Sequence, residues 1–551
     1  MKPLTFGLAV VFVVSAAAQS PDFDTEGKAW WAHVQVLADD KLEGRNVGTP
    51  GYDKAVDYVE GQFKAFGLSP AGTAGFRQPV AFENRSFAAA PELTLVHDGK
   101  EESLTTGQDA SLNARAELDG ALEAGLVFVG YGLSIPDAGW DDLKDVNLRG
   151  KIAVYVNAFP PIKVSDAVKS HANTADERWA AMKNAGAIGL ASLPVPAAAV
   201  APATPAPSNP APAAGAPAAG AGRGGAPQTP APVVALADRD VQNLSGQKAS
   251  MTITQRGAAK FFAGAAHSLD EIGQLARDGK PLPRFDLPVR LKANAKLTRE
   301  SFQASNVAAM FPGSDPALKS EVVVMTSHLD HVGFGRAVNG DNLYNGAMDD
   351  ASGIATMLEI ARMLKTSGAT PKRSIMFVAV AAEEKGLLGS RYFAAHPTVP
   401  FEKIVADINL DMFLPLYPLK VIEVQGLAES SLGASVRAAA NTFGVDVQTD
   451  REPEQNRFIR SDQYSFIRRG IPSLAFKFGY EFGSPEQTTR LNWVRDRYHQ
   501  PSDDLTQPID LAAAGKFNRV IMTLLKTVAD DAKRPTWNAD SFFKRFLTTG
   551  K

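Results

Sequence analysis

The stretch of sequence that decides the fold is EVVVMTSHLDH, residues 321–331. It begins with a run of apolar, mostly β-branched residues, which is the composition of a buried β-strand. The run ends in two titratable side chains, His328 and Asp330, two positions apart. One strand that ends this way proves little. The question is whether other strands of the chain end in the same manner.

Two other predicted strands also end in carboxylates. SIMFVAVAA is followed by Glu383 and Glu384, and KIVADINLD ends at Asp411. The segment DDASGIATMLEIARMLKTSG, with helical spacing of its apolar residues, separates the first of the three strands from the second. Strands that alternate with helices predict an α/β domain with a mainly parallel sheet, and ligands bind in the crevice outside the carboxyl ends of such strands. We therefore expect these side chains to meet in one crevice.

Clustered carboxylates favour a metal site, because they repel one another and are costly to desolvate unless cations neutralise them. Asp349 and Asp350, just before the predicted helix, and His499, in a later loop, add suitable ligands. The chain has no cysteine, so a metal must be held by His, Asp and Glu, which suits zinc in an open catalytic site. Taken singly, each residue also has a structural interpretation as a hydrogen-bonded histidine, a helix cap or a solvated loop residue. Their joint occurrence at successive strand ends favours the metal.

Composition and charge are those of a soluble globular protein. The 551 residues are 45% hydrophobic and 21% charged, and the formal net charge is −3. Proteins that bind nucleic acid or anionic membranes carry a basic excess, so the charge argues against both functions. The absence of cysteine excludes disulfides and a thiol nucleophile.

The first 19 residues have the pattern of a secretory signal peptide. Lys2 precedes an apolar run from Leu4 to Val14, and the small residues 16–18 offer a cleavage site. The apolar run is too short for a permanent membrane span. We therefore expect a secreted or periplasmic protein with no membrane attachment after cleavage. The alternative is an uncleaved N-terminal anchor.

Together these motifs resemble the M28 family of zinc peptidases, which includes bacterial aminopeptidases and the glutamate carboxypeptidase group. The motifs that carry the resemblance are His328-x-Asp330, Asp349-Asp350-x-Ser352-Gly353, Glu383-Glu384, Asn409-Leu410-Asp411-Met412 and Tyr498-His499. The early segment LADDKLEGRNVGTPGYDKAVDYV is also similar to the family. The resemblance covers about residues 20–90 and 265–530. It implies a zinc exopeptidase-like α/β fold, with a mixed, mainly parallel sheet sandwiched by helices.

A β-rich block interrupts the resemblance. Its GYG and DVNLRGKIAVYVN segments resemble a protease-associated (PA) domain, which many M28 members carry as an insertion. The expected organisation is a signal peptide (1–19), an N-terminal part of the peptidase domain (20–110), a PA-like insertion (111–264) with a Pro/Ala/Gly-rich loop (194–233), a catalytic domain (265–535) and a C-terminal tail (536–551).

The resemblance implies a role for each motif residue. Five side chains would hold two Zn²⁺ ions per chain: His328, Asp349 and Asp411 at one ion, and Asp349, Glu384 and His499 at the other, with Asp349 bridging. Glu383 would be the general base. Asp330 would hydrogen-bond the far nitrogen of His328, and Tyr498 would donate to the oxyanion.

Three neighbouring residues are expected to have other roles. His331 is predicted to be structural, and Asp350 to cap the helix rather than bind metal. Where the family often has Ser-Asp-His, this chain has Gln463 in the third position. The function of that position is left open.

The implied reaction is hydrolysis of a peptide bond by a metal-bridging hydroxide, with Glu383 passing the proton to the leaving amine. The expected substrates are peptide or protein N-termini, because no basic clamp for a substrate carboxylate is recognisable in the sequence. A carboxypeptidase of the glutamate carboxypeptidase type is the alternative. The complete ligand set argues against a single-zinc, glutaminyl-cyclase-like enzyme and against an inert, receptor-like binding protein. Manganese or cobalt could occupy similar ligands.

Overall fold

The computed structural model describes residues 21–196 and 232–548. The predicted signal peptide and most of the predicted Pro/Ala/Gly-rich loop lie outside these ranges. Within them, no helix combines the length and apolarity that crossing a bilayer requires. The α-helices are α1 (Phe23–Leu37), α2 (Pro50–Ala65), α3 (Asp166–Ala172), α4 (Ala175–Asn184), α5 (Gln255–Phe261), α6 (Leu269–Arg277), α7 (Ser352–Thr366), α8 (Leu388–Ala395), α9 (Leu432–Asn441), α10 (Gln463–Ile467), α11 (Pro485–Asp496) and α12 (Leu511–Asp530).

The strands form two large sheets and two short hairpins. They are β1 (Ser69–Pro70), β2 (Arg77–Phe87), β3 (Glu92–His97), β4 (Lys100–Leu104), β5 (Ala110–Leu112), β6 (Gly120–Val129), β7 (Ser134–Ile135), β8 (Trp140–Asp141), β9 (Ile152–Val156), β10 (Gly189–Leu193), β11 (Val233–Leu236), β12 (Ala249–Ile253), β13 (Arg284–Ala295), β14 (Leu297–Phe311), β15 (Val322–His328), β16 (Gly333–Val338), β17 (Asp341–Tyr344), β18 (Ser374–Val380), β19 (Ile404–Asn409), β20 (Val421–Gln425), β21 (Asp446–Thr449) and β22 (Ser473–Phe478).

The larger sheet has ten strands, in the order β11-β2-β14-β18-β15-β19-β22-β20-β21, with β1 beside β14. Its centre, β18-β15-β19-β22, is parallel, and the strands on either side of this centre join it antiparallel. Every residue of the four central strands is buried. Parallel strands covered on both faces read as continuous apolar runs, which is why EVVVMT and SIMFVAV lack a polar alternation. The predicted mixed α/β fold is confirmed.

Helices cover both faces of the larger sheet. Helices α1, α2, α7, α9 and α12 pack on one face, where Phe413 and Phe517 stack with ring centroids 4.3 Å apart. Helices α8 and α10 pack on the other face through Phe393 and Phe466. Along β18, alternate side chains enter the two cores. The parallel centre is thus covered on both faces, and its carboxyl edge is left for the loops.

The smaller sheet has eight strands, in the order β4-β3-β13-β6-β9-β10-β12-β5. It extends beyond the predicted insertion at 111–264, because β3, β4 and β13 pair within this sheet. Conversely, β11 lies inside the predicted insertion but pairs with β2 at the border of the larger sheet. Strand pairing thus crosses the predicted boundaries, because a change in sequence texture marks strand density and does not reveal which sheet a strand joins. The division into domains and the assignment to a PA domain stay predictions.

The C-terminal residues 537–546 pack against the rest of the protein. Trp537, Phe543 and Phe546 are buried against Ile459 and Ile467 in a small apolar cluster. The Trp537 indole N–H donates to the carbonyl of Gly470 at 2.9 Å. Residues 537–546 of the predicted tail at 536–551 are therefore docked on the protein through their aromatic side chains.

Candidate metal centre

The parallel pairing of the central strands aligns their carboxyl ends. His328 at the end of β15 is level with Val380 at the end of β18, and Thr326 is level with Asn409 at the end of β19. The loops that follow these strands therefore start side by side. They bring ligand atoms of His328, Asp349 and Asp411 within 4.8 Å of one another.

Asp349 lies at the middle of the cluster. Its Oδ1 is 3.1 Å from His328 Nε2, and its Oδ2 is 3.2 Å from His499 Nε2. The same His499 nitrogen is 3.2 Å from Glu384 Oε2. One carboxylate thus faces two different histidines with its two oxygens. The structure brings the five predicted ligands together.

His331 also belongs to this cluster, although the sequence predicts a structural role for it. Its Nδ1 is 2.8 Å from Glu384 Oε1 and 3.9 Å from Asp349 Oδ2, and ligand atoms of the three residues lie within 4.8 Å. His331 is fully buried, whereas His499 is partly exposed. The two rings meet edge to face at 5.8 Å. The only sequence signal for His331 is its position directly after the His-x-Asp motif.

The donor atoms of the cluster fit a divalent cation. Four buried atoms in it make no hydrogen bond of normal geometry: both ring nitrogens of His331, Glu384 Oε1 and Asp411 Oδ1. Buried polar atoms are rarely left without a partner unless an ion or water completes them. Imidazole nitrogens and carboxylate oxygens are suitable ligands for zinc.

Glu383 and Glu384 are adjacent in sequence but have opposite electrostatic environments. Burial raises the pKa of Glu383 well above its ordinary value, and the charge of Glu384 adds to this effect. Burial alone would also raise the pKa of Glu384, but His499 and His331 lower it. In turn, the carboxylates overcome the effect of burial on His499 and raise its pKa to about 11. Carboxylates whose pKa values are pushed apart are suited to different tasks, one to proton transfer and one to binding a cation.

Asp330 does not hold His328 in the way that the resemblance implies. The Nδ1–H of His328 donates to the backbone carbonyl of Asp330 at 3.0 Å. A carbonyl can only accept, so this contact still leaves Nε2 free to face Asp349. The Asp330 carboxylate instead accepts the backbone N–H groups of Glu383 at 3.0 Å and Glu384 at 3.3 Å. Its predicted role is therefore corrected: it fixes the loop that carries the two glutamates.

Left-handed backbone conformations occur at several non-glycine residues of the site loops. Ala382, Met412 and His499 have φ values of 55°, 47° and 52°. Such conformations are sparsely populated outside glycine and cluster at functional sites, where the surrounding structure enforces them. Ala382 precedes Glu383 and Glu384, Met412 follows Asp411, and His499 is itself a candidate ligand, so each tight turn lies at or beside a residue of the site.

A buried polar network supports the floor of the cluster. Asp350 accepts the N–H of Gly353 in the first turn of α7 at 3.0 Å, as its predicted capping role requires, and also that of Met412 at 3.2 Å. Gln463, which stands where the family often has histidine, accepts from Asn409 Nδ2 at 2.7 Å and donates to the Phe458 carbonyl at 3.0 Å. Gln463 therefore has a structural role below Asp411.

Two further side chains border the cluster. The ring of Tyr498 stacks on His499 with centroids 4.0 Å apart, and burial raises the pKa of Tyr498 well above its usual range, so its hydroxyl stays protonated. Lys477, which the sequence did not single out, is buried and donates to the backbone carbonyl of Asp411. The sequence signal for Lys477 is its position inside the otherwise apolar strand β22.

Comparison with known proteins identifies the family of one part of the chain. Residues 306–525 match the model described as Peptidase family M28. This part of the chain is an M28 peptidase domain. The fold of the chain is similar to that of a solved aminopeptidase from Aneurinibacillus sp. strain AM-1, with a TM-score of 0.50 and 18% sequence identity over 94% of this chain and 100% of the other.

Curated relatives match part of the chain. A probable leucine aminopeptidase 2 from Aspergillus oryzae is 29% identical over 45% of this chain and 50% of its own length. The aminopeptidase YwaD of Bacillus subtilis is 30% identical over 36% and 41%, and a probable zinc metalloprotease of Pyrenophora tritici-repentis is 46% identical over 35% and 50%. The chain spans half or less of the length of these relatives.

Proposed function

We propose that this protein is an exported aminopeptidase that uses a pair of zinc ions to release single residues from peptide N-termini. The observation that carries the proposal is the carboxylate of Asp349, whose two oxygens face His328 and His499 at 3.1 and 3.2 Å. A bridging carboxylate between two cations needs this arrangement. The names of the relatives, aminopeptidase and zinc metalloprotease, support it.

In this proposal His328, Asp349 and Asp411 would hold one ion, and Asp349, Glu384 and His499 would hold the other. When bound, the ions would lower the pKa of a water molecule and polarise the substrate carbonyl. Glu383 does not ligate. Its raised pKa suits it to accept a proton from the attacking water and return it to the leaving amine.

The other side chains of the site prepare these steps. Asp330 keeps Glu383 at its place through the backbone N–H of that residue. Tyr498, with its hydroxyl protonated, can donate a hydrogen bond to the oxygen on which negative charge develops.

Cleavage at the N-terminus is favoured over cleavage at the C-terminus because three basic side chains, Lys477, Arg457 and Arg490, already have partners within the protein. Lys477 donates to the Asp411 carbonyl, Arg457 pairs with Glu452 at 2.7 Å, and Arg490 pairs with Glu423 at 3.3 Å. These three cations are therefore engaged within the protein and do not form a clamp for a substrate carboxylate.

The test uses three substrates with the purified full chain: leucine p-nitroanilide, its N-acetylated form, and an N-blocked dipeptide with a free carboxylate. The proposal expects rapid hydrolysis of the first alone, loss of activity with a chelator and recovery with zinc. Preference for the N-blocked dipeptide would instead identify a carboxypeptidase. Chelator-insensitive turnover, or no turnover with zinc bound, would reject the proposal.

Export is proposed from residues 1–19, which lie outside the described structure. It is tested by expressing the full-length gene in a bacterium and sequencing the N-terminus of the protein found outside the cytoplasm. Cleavage near Ala18 or Gln19 is expected, and an intact N-terminus on a cell-associated protein would contradict export.

A further inference from the structure

Arg45 lies outside the ligand cluster but contacts the segments that carry it. It stands in the turn between α1 and α2, with a left-handed φ of 51°, and its side chain is 0% exposed. Its guanidinium makes four hydrogen bonds to backbone carbonyls, with Leu329 (2.9 Å), Leu37 (2.6 Å), Asn345 (2.7 Å) and Gly346 (2.9 Å). One side chain thus joins three segments that are distant in sequence.

Two of these segments are the ones that must meet at the metal centre. Leu329 lies between His328 and Asp330 at the end of β15. Asn345 and Gly346 begin the loop that leads to Asp349. The backbone carbonyl of Arg45 also accepts the N–H of His331 at 3.3 Å. The contacts of Arg45 therefore fix the strand end and the loop relative to each other, at the place where His328 and Asp349 approach to 3.1 Å.

Asp503 holds the same loop from its other side. Its carboxylate, also 0% exposed, accepts the backbone N–H groups of Met348 at 2.9 Å and Asp349 at 3.1 Å. The charge of Arg45 is balanced by Asp503 and by the acidic residues of the site. Burial lowers the pKa of Arg45 to about 10, which leaves it protonated at neutral pH.

We propose that Arg45 is a positioning residue of the metal centre, which sets the spacing of His328 and Asp349 by tying their backbones together. The inference rests on the proposed function. A guanidinium suits this role because its planar fork offers five N–H donors in fixed directions. A lysine keeps the charge but has one compact ammonium group, so it cannot reach all four carbonyls.

The test compares Arg45→Lys with Arg373→Lys. Arg373 is also 0% exposed and donates to the backbone carbonyls of Val528 and Asp531, but it lies at the other end of β18 from Glu383. Zinc affinity is measured by competition with a chromophoric chelator, together with the melting temperature. We expect Arg45→Lys to bind zinc about 10- to 100-fold more weakly, as for other residues that orient metal ligands. Arg373→Lys should lose stability but keep the zinc affinity of the wild type.

A second readout separates positioning from catalysis. Excess zinc should restore most of the kcat of Arg45→Lys, whereas a Glu383→Gln variant should stay inactive at any zinc concentration. If Arg45→Lys does not fold, Asp503→Asn provides the test, because it weakens the hold on the same loop and should lower zinc affinity.

The outcomes for the two proposals differ. Wild-type zinc affinity in Arg45→Lys, or an equal loss in Arg373→Lys, overturns the positioning role. A wild-type protein that binds zinc but hydrolyses no aminoacyl substrate overturns the proposed function alone. A wild-type protein that binds no zinc overturns both.

Discussion

At the scale of single residues, side chains that are neighbours in the site have different electrostatic environments. Glu383 and Glu384 differ by one position, yet burial raises the pKa of the first while His499 and His331 lower that of the second. The backbone bonds of Asp330 keep both residues at the rim of the sheet. Because the environments are so different, substitutions at the two positions should have different consequences.

Glu383→Gln should keep both metals and lose activity. The amide has nearly the same shape but cannot accept the proton of the attacking water, so kcat should fall by about 10²- to 10⁴-fold, the usual contribution of a general base. Zinc content by atomic absorption and kcat on leucine p-nitroanilide check this. An active Glu383→Gln variant would show that another group takes the proton.

His499→Ala should remove one zinc ion per chain, whereas His331→Ala should leave two ions with weaker binding. His499 Nε2 is 3.2 Å from both Asp349 and Glu384, while His331 is close to Glu384 but 3.9 Å from Asp349. His331, with Nδ1 at 2.8 Å from Glu384 Oε1, is thus placed to contact that residue from outside the proposed ligand set. Metal stoichiometry after dialysis distinguishes the two variants. Loss of an ion in His331→Ala with full occupancy in His499→Ala would exchange the two roles.

The sequence predicted which candidate ligands the structure brings together, but not the contacts that support them, for a physical reason. Three of the candidate ligands, His328, Glu384 and Asp411, lie at or just after strand ends, so a local pattern and its spacing reveal them. The contacts of Asp330, His331 and Lys477 depend on how loops from different parts of the chain fold over one another. No local pattern encodes such contacts. Even where the residue was singled out, as with Asp330, its partner was wrong.

At the scale of elements, the smaller sheet and its helices meet the M28 domain through a polar interface. Helix α4 places Asp176 and Glu177 opposite Arg468, with Glu177 at 2.8 Å from it. Helix α3 places His171 against Tyr464, with His171 Nδ1 at 2.6 Å from the tyrosine hydroxyl. The predicted insertion at 111–264 contains both of these helices, although it excludes β13 of the smaller sheet.

The interface should weaken in acid because of His171. Burial and the nearby charges of Arg468 and Arg545 lower the pKa of His171 from 6.5 to about 4, although Glu177 lies 3.5 Å from its ring. Below pH 6.5 His171 binds a proton in the unfolded chain, whereas in the folded protein it stays neutral until the pH approaches 4. Stability is therefore lost as the pH falls toward 4, by about 1.4 kcal/mol per unit.

The measurement is the free energy of unfolding in urea at pH 8 and pH 5 for wild type and His171→Gln. The difference between the two proteins should shift by about 2 kcal/mol in favour of the variant at the lower pH. Any loss of metal in acid affects both proteins and cancels in this comparison. Parallel pH dependences would mean that His171 titrates alike in the folded and unfolded states.

At the scale of the whole molecule, segments that are distant in sequence pack against each other. Helix α1 packs along α12, near the two ends of the described chain, and the C-terminal aromatic residues dock beside α10. The fold class was predictable because the central strands are long apolar runs. The docking of residues 537–546 was not, because it depends on a groove that only the folded chain forms.

Trp537→Ala should destabilise the protein by about 3–5 kcal/mol, the usual cost of deleting a buried aromatic side chain. Trp537 is 5% exposed, whereas Trp31 on α1 is only partly buried, so Trp31→Ala should cost less. Urea unfolding followed by circular dichroism measures both. If Trp537→Ala and a chain ending at residue 535 are as stable as the wild type, the C-terminal segment is a tail after all.

Strand β11 has a consequence for how this architecture can be rearranged. The chain leaves the smaller sheet after β10, lends four residues to the border of the larger sheet, and returns to form β12. The predicted insertion therefore contributes a strand to the larger sheet and cannot be exchanged as a separate unit. Excising it, in evolution or by engineering, would make the eleven-residue β2 the edge of the larger sheet in place of the four-residue β11, and so lengthen the strand edge that is open to self-association.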